Sequence, residues 1–167
     1  MAQHQIDRLD RKILQLISQD ARIPFLEVAR ECNVSGAAIH QRIQKLRNLG
    51  IIKGSEFVID TYKVGFQTCA YIGIILSDIK MFKPVVEDLK KIPEIVECHY
   101  ATGKYSMFIK IYAKDNRHLL QIILEKLTLI PGVAHTETFQ ISLDEIFRRQ
   151  LFVFDTENEE EDFEEEM

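Results

Sequence analysis

Apolar residues recur along this chain on two different periods, and the change of period divides it. Leu9, Ile13, Leu16 and Ile17 follow the i, i+4, i+7, i+8 rhythm of an amphipathic helix. Asp7 stands where a carboxylate accepts a free amide of the first turn. The stripe lapses over 19–23, and Pro24 suits the opening of a second helix because its missing N–H costs nothing there. Leu26, Val28 and Ala29 predict that helix from Phe25 to about Cys32, with a tight turn at Asn33-Val34. Ser35 is a strong N-cap, Ile39, Ile43, Leu46 and Leu49 form the stripe of a third helix, and Gly50 closes it. Residues 51–55 and 56–59 read as two short extended arms around a Gly-containing turn. Three helices, a tight turn and a trailing hairpin describe a winged helix-turn-helix.

Downstream the spacing predicts strand Thr68–Leu76, helix Met81–Lys91, strands Ile95–Ala101 and Tyr105–Tyr112, helix Asn116–Leu129 and strand Val133–Leu143. The βαββαβ order is that of a ferredoxin-like α+β sandwich, two helices on one face of an antiparallel sheet. A sheet with one wet face should alternate apolar and polar residues. Here residues 70–76 are apolar throughout, and Met107 to Tyr112 is broken only by Lys110. The helices cover one face only, so the other calls for a second copy of the chain. Lys110 then lies near the sheet edge or pairs across the interface. The expected organisation is 1–60 for the winged helix-turn-helix, 61–67 as linker, 68–154 for the ferredoxin-like domain and 155–167 as an acidic disordered tail.

Composition sharpens this picture at two places. The net charge of −5 conceals a tail, 155–167, with nine acidic residues and no basic one; without it, 21 basic residues face 17 acidic ones, a body at +4. From Ser35 to Gly54 there are four basic residues and no acid. No apolar run approaches the ~18 residues of a membrane span. Three widely spaced cysteines form neither a disulfide framework nor a zinc site, which fits a reducing cytoplasm. Cys98-His99 carries two metal-binding side-chain types, but neighbours on a strand point to opposite faces. No catalytic or cofactor motif is present, so no metal, cofactor or enzymatic activity is expected.

The basic third helix is the candidate DNA reader. With Ile39, Ile43 and Leu46 inward, the outward or lateral positions are Gly36, Ala37, His40, Gln41, Gln44 and Lys45. A major groove about 12 Å wide admits one such helix. Beside the Ser35 cap, the small residues Gly36, Ala37 and Ala38 permit close approach at its start, and Gln41, Gln44 and His40 are suited to base edges. Arg42, Lys45, Arg47 and Lys53 are suited to phosphates, which position the helix without reading sequence.

Leu9-Asp10-Arg11, Asp20-Ala21-Arg22, Val28-Ala29, Val34-Ser35, Ile39, Arg42-Ile43, Leu46 and Gly50-Ile51-Ile52 stand in an order and spacing that resemble the Lrp/AsnC (feast-famine) regulators. Tyr71-Ile72-Gly73-Ile74, Glu97-Cys98-His99, Thr102-Gly103-Lys104-Tyr105 and Pro131-Gly132-Val133 continue the resemblance, which covers about Ile6 to Val153. It implies a DNA-binding transcriptional regulator acting on palindromic double-stranded DNA, a homodimer with a higher assembly such as an octamer, and an amino-acid effector.

The hairpin Ala101–Ser106 offers hydroxyls at Thr102 and Ser106, amides for a carboxylate, and Gly103 for a positive φ. By position, the resemblance implies effector contacts at Tyr100, Thr102, Gly103, Tyr105 and Ser106, with Thr136 and Thr138 secondary. Many members carry an acid where this chain has Ser106; the Thr-Gly-x-Tyr-Ser form resembles the asparagine-responsive branch. Two other readings stay open: a sirohaem-decarboxylase-like enzyme on the same fold, and an effector-independent DNA-architectural protein. The acid-free third helix favours a DNA reader over the enzyme; a response to amino acids separates the regulator from the architectural protein.

Overall fold

The computed structural model describes residues 6–141, 143, 146 and 147. They form two compact units, one extending to Phe57 and one spanning Val58–Ile146. The acidic tail lies outside the described residues.

The first unit contains α1 (Arg8–Gln19), α2 (Phe25–Glu31) and α3 (Gly36–Asn48). A capping box opens α1: the Asp10 amide donates to the Asp7 carboxylate at 2.8 Å, and the Asp7 amide donates back to Asp10 at 3.3 Å. Pro24 stands at the opening of α2 as its extended N-cap, and the helix begins at Phe25 as expected. Asn33 makes the turn to α3 at φ 55°, a left-handed conformation that asparagine tolerates. The Ser35 hydroxyl accepts from the Ala38 amide at 3.2 Å. Gly50, at φ 70°, ends α3 while the Gly50 and Ile51 amides donate to the Arg47 and Leu46 carbonyls. Ile13, Val28, Ala29, Ile39, Ile43 and Leu46 form the core.

The expected wing is not present: residues 51–60 contain no strand. The Ile51 and Ile52 amides both close α3 onto the Leu46 carbonyl, and their side chains pack on the core. The first arm is thereby engaged and offers no ladder to the second. Phe57 stays 70% exposed, with the Arg22 guanidinium 4.2 Å from its ring centre.

The second unit contains β1 (Thr68–Leu76), α4 (Phe82–Leu89), β2 (Ile95–Tyr100), β3 (Met107–Ala113), α5 (Asn116–Glu125) and β4 (Val133–Ile141). The strands form one antiparallel sheet in the order β2-β3-β1-β4, the arrangement that βαββαβ connectivity demands. The two expected helices are each shorter, with a 3-10 turn before α4 and another after α5, where Lys126 leaves helical geometry at φ −120°. Alternation divides the sheet cleanly. Ala70, Ile72, Ile74, Met107, Ile109 and Ile111 meet Val85, Leu89, Leu119 and Ile122 of the helices.

On the opposite face stand Cys69, Tyr71, Gly73, Phe108, Lys110 and Tyr112. Lys110 is on an interior strand, not near an edge. Its ammonium is 3.5 Å from Glu97 and lies over the rings of Tyr71 and Tyr112, so it is paired within its own chain. Gly73 is bare for a reason: a Cβ there would meet the Tyr105 ring at 2.6 Å. Gly73→Ala is therefore expected to lower the stability of the chain by about 1–3 kcal/mol in urea unfolding. In a Tyr105→Ala background the same change should cost markedly less; equal costs in both backgrounds would refute the steric account.

Candidate nucleic-acid interface and effector loop

Helix α3 buries Ile39, Ile43 and Leu46 and leaves Ala37, His40, Gln41, Gln44, Lys45 and Arg47 exposed, with Gly36 half-buried at its start. Ser35 is held at the N-cap by its bond to Ala38. Open space surrounds the position a Gly36 side chain would take, so a surface can approach the backbone closely there. His40 packs edge-on against Phe25, ring centres 4.9 Å apart, and the Gln44 amide donates to Asn48 at 3.0 Å. Gln41 makes no hydrogen bond among the described residues and is the freest of the three base-reading candidates.

The four cations separate into two pairs. Arg47 and Lys53 are exposed and make no ion pair among the described residues. Arg42 instead donates to Asp7 and, at 3.1 Å, to Asp10, while the Lys45 ammonium lies 3.0 Å from the other Asp10 oxygen. Asp10 has no solvent exposure at all. A buried carboxylate needs compensating charge and hydrogen bonds, and here two residues of α3 supply it. The stretch from Ser35 to Gly54 looks acid-free only in sequence; α1 brings the acids in space. Asp7 was legible as a cap and Asp10 only as part of the family pattern, and nothing in their spacing pointed to α3. The Arg42 guanidinium beside Asp7 holds that carboxyl below its ordinary value, against the opposing effect of burial.

In the second unit the 101–106 hairpin closes through the Ala101 amide to the Ser106 carbonyl at 3.2 Å, with Gly103 at φ 127°. The Ser106 amide donates to the Ile74 carbonyl, and its hydroxyl accepts from the Leu76 amide at 3.3 Å. Ser106 therefore ties the hairpin to β1, and its hydroxyl is already engaged. Thr102 and Gly103 are exposed at the tip.

The remaining candidates are not gathered together. Tyr100 is in register with Met107 on the helix side, its ring 5.2 Å from that of Phe82. Thr136 and Thr138 share that side, in register with Ile74 and Ile72, but on the opposite edge of the sheet. Three strand spacings, about 14 Å, separate Tyr100 from Thr136. Tyr105 lies on the other face, against Phe108 and over Gly73, and its hydroxyl donates to Glu137. The Lys104 ammonium reaches the same Glu137 oxygen at 2.6 Å. Glu137 was absent from the sequence reading and Lys104 entered it only as part of the hairpin motif, because a pairing 33 residues apart leaves no local signal. Lys104, then Tyr105, hold the Glu137 carboxyl below its ordinary value.

Comparison with known proteins matches both units. A profile for the AsnC-type helix-turn-helix domain matches residues 6–47, and one for the Lrp/AsnC ligand binding domain matches residues 69–151. The regulatory protein AsnC of Haemophilus influenzae is 42% identical over 135 residues, 81% of this chain and 90% of that protein. That of Escherichia coli K12 is 32% identical over 148 residues, 89% of this chain and 97% of that one. The solved structure of E. coli AsnC superposes with a TM-score of 0.82 over 90% of this chain and all of the other, at 31% identity. A transcriptional regulator from Neisseria meningitidis, solved as an L-Met complex, shares the fold with a TM-score of 0.80 at 18% identity, over 89% and 96% of the two chains.

Two outcomes follow from the ion-pair cluster. Asp10→Ala leaves two cations without their buried acceptor and should cost about 2–4 kcal/mol in chemical unfolding, below the top of the range for a buried pair because both cations keep solvent contact. Asp7→Asn keeps the cap acceptor and removes the charge. Since the folded-state value of Asp7 is depressed, its contribution is present at neutral pH and lost as pH falls through that value. Between about pH 5 and pH 2 the parent should therefore lose more stability than Asp7→Asn; parallel acid-unfolding curves would contradict this.

Proposed function

The chain belongs to the Lrp/AsnC family of transcriptional regulators, and on that premise we propose that it reads a palindromic duplex through α3 and adjusts that binding to an amino acid taken up at the 101–106 hairpin. The observation that carries the DNA half is the two-sided character of α3: one face seals the core, and the other presents Gln41, His40 and Gln44 beside the uncompensated charges of Arg47 and Lys53. Amide and imidazole groups read base edges; free cations hold phosphates. Ser35, Gly36 and Ala37 complete the approach at the helix start. Arg42 and Lys45 take a supporting part, fixing α3 on α1 through Asp10 and contributing less net charge to the duplex.

The effector half rests on the matching ligand-binding profile, on the positive-φ glycine at the hairpin tip and on the exposed Thr102 beside it. Thr102, Gly103 and Tyr105 are the proposed contacts, with Ser106 shaping the hairpin and Tyr100, Thr136 and Thr138 flanking it. The methionine in the Neisseria neighbour and the naming of the AsnC relatives support an amino acid as the class, with asparagine the first to test. We place the protein in the cytoplasm as a homodimer, built on the aromatic sheet face around Tyr71 and Phe108, which assembles further, to an octamer or similar. Regulation without catalysis is part of the same proposal. The domain division proposed is 1–60 for DNA, 61–67 as connector and 68–154 for effector and assembly.

Duplex titrations across a range of salt test the first half. Arg47→Ala and Lys53→Ala should each flatten the salt dependence by about 0.9 of a counterion, the yield of one phosphate contact. Arg42→Ala and Lys45→Ala should change the slope less and stability more. Unchanged slopes for Arg47 and Lys53 would remove them from the interface. For the second half, Gly103→Val should abolish the response of DNA binding to amino acids while dimers persist, because a β-branched residue resists the φ of 127° found there. A retained response would move the effector site elsewhere.

A further inference from the structure

The positive charge of this chain is gathered in its first unit. Residues 6–57 carry nine basic and six acidic side chains, whereas residues 58–154 carry twelve and eleven and are nearly neutral. Within the first unit, acids meet the basic helix α3 from one side. Asp7 and Asp10 answer Arg42 and Lys45, while Arg47 and Lys53 are exposed and make no ion pair among the described residues. Lys53 follows Ile52, whose amide donates to the Leu46 carbonyl, so its backbone is held near the C-terminal end of α3, where Arg47 also stands. Carboxylates already satisfy the inner two cations. The outer two have none.

The segment 155–167 carries nine acids and no base, and it lies beyond residue 151, where the match to the ligand-binding profile ends. In extended form a run of acids places one charge about every 3.3 Å, close to the roughly 3.4 Å of helix axis per phosphate along one DNA strand. The chain from Phe147 to Met167 can span up to about 70 Å, several times the radius of gyration of about 13 Å typical of a domain of this size. Resting on the reading of α3 as the DNA helix, we propose that 155–167 is an internal polyanion that occupies the C-terminal end of α3 at Arg47 and Lys53, and that a duplex must displace it to bind. Its carboxylates accept charge-assisted hydrogen bonds from the same two side chains that hold phosphates. A competitor carried on the same chain lowers the affinity for every duplex by one factor. The ratio of operator to random binding is kept, while occupancy of random sequence falls. Displacement returns counterions to the freed acids, so duplex binding depends on salt less steeply than in a chain without them.

Three forms of the protein separate docking from general repulsion: the parent, a chain ending at Phe154, and a chain of full length with the nine acids changed to their amides. On a duplex of arbitrary sequence at about 50 mM salt, both altered forms should bind about tenfold more tightly than the parent, the scale of one or two charge-assisted contacts. At about 300 mM salt, where the Debye length is about 6 Å, the gain should shrink below about twofold. Each form is then combined with Arg47→Ala and Lys53→Ala together. In that background the loss of the acids should tighten binding by no more than about threefold, because the seat of the segment is gone. An undiminished gain there means that the acids repel DNA from a distance, and overturns the docking. Without DNA, zero-length carbodiimide coupling of the parent should join carboxylates of 155–167 to Lys53 or its neighbour Lys45, and added duplex should suppress these links. Links confined to lysines of the second unit, or none at all, overturn the proposal as well. If the links to Lys45 or Lys53 form but no form of the protein binds a duplex, the contact stands, and the DNA reading of α3 falls together with the competition.

Discussion

Two helices can cover only one face of a four-stranded sheet, and the whole second unit is organised by that limit. Alternation on β1 and β3 sends Ile72, Ile74, Ile109 and Ile111 to the helices and sends Tyr71, Gly73, Phe108, Lys110 and Tyr112 the other way. A solvated face would carry polar residues at those positions. This one carries aromatic rings, a cation held between two of them, and a glycine roofed by a tyrosine. With these rings at its centre and charged side chains such as Glu97 and Glu137 toward its edges, the face is suited to cover by a symmetric copy of itself. Pairing of subunits would in turn present two copies of α3 to one duplex, which a single recognition helix of few base contacts requires.

In the first unit the corresponding constraint is electrostatic. Asp10 is fully buried, and its two oxygens are met by Arg42 and Lys45 from α3. This bond joins α3 to α1. It also divides the basic charge in and after α3: Arg42 and Lys45 are met by acids of α1, while Arg47 and, past the helix end, Lys53 make no ion pair among the described residues. A recognition helix set firmly on its scaffold loses less freedom on binding than one held by apolar contact alone.

The 101–106 hairpin shows the opposite economy of parts. Ser106 is committed to β1, Tyr105 to Gly73 and Glu137, and Tyr100 to Phe82. The tip at Thr102 and Gly103 is left with few internal obligations. A loop with a fixed base and a loosely held tip can answer a small ligand without disturbing the sheet beneath it.

The sequence by itself determined the elements and their order. Helical spacing placed α1 and α3, Ser35 and Gly50 marked the two ends of α3, and the strand runs located β1 to β4 to within about two residues, because each of these signals acts between neighbours in the chain. The family resemblance was equally legible, resting on residues spread over both units. What tertiary structure alone decided are contacts between distant residues. The fate of the supposed wing depended on Ile51 and Ile52 closing α3; the partners of Arg42 and Lys45 came from α1; Glu137 met Lys104 across 33 residues. The split of Tyr100, Tyr105, Thr136 and Thr138 between two faces and two edges followed from strand order and register, which local periodicity leaves open. Periodicity reports which face of an element is buried; only the assembled sheet and helices determine what that face is buried against.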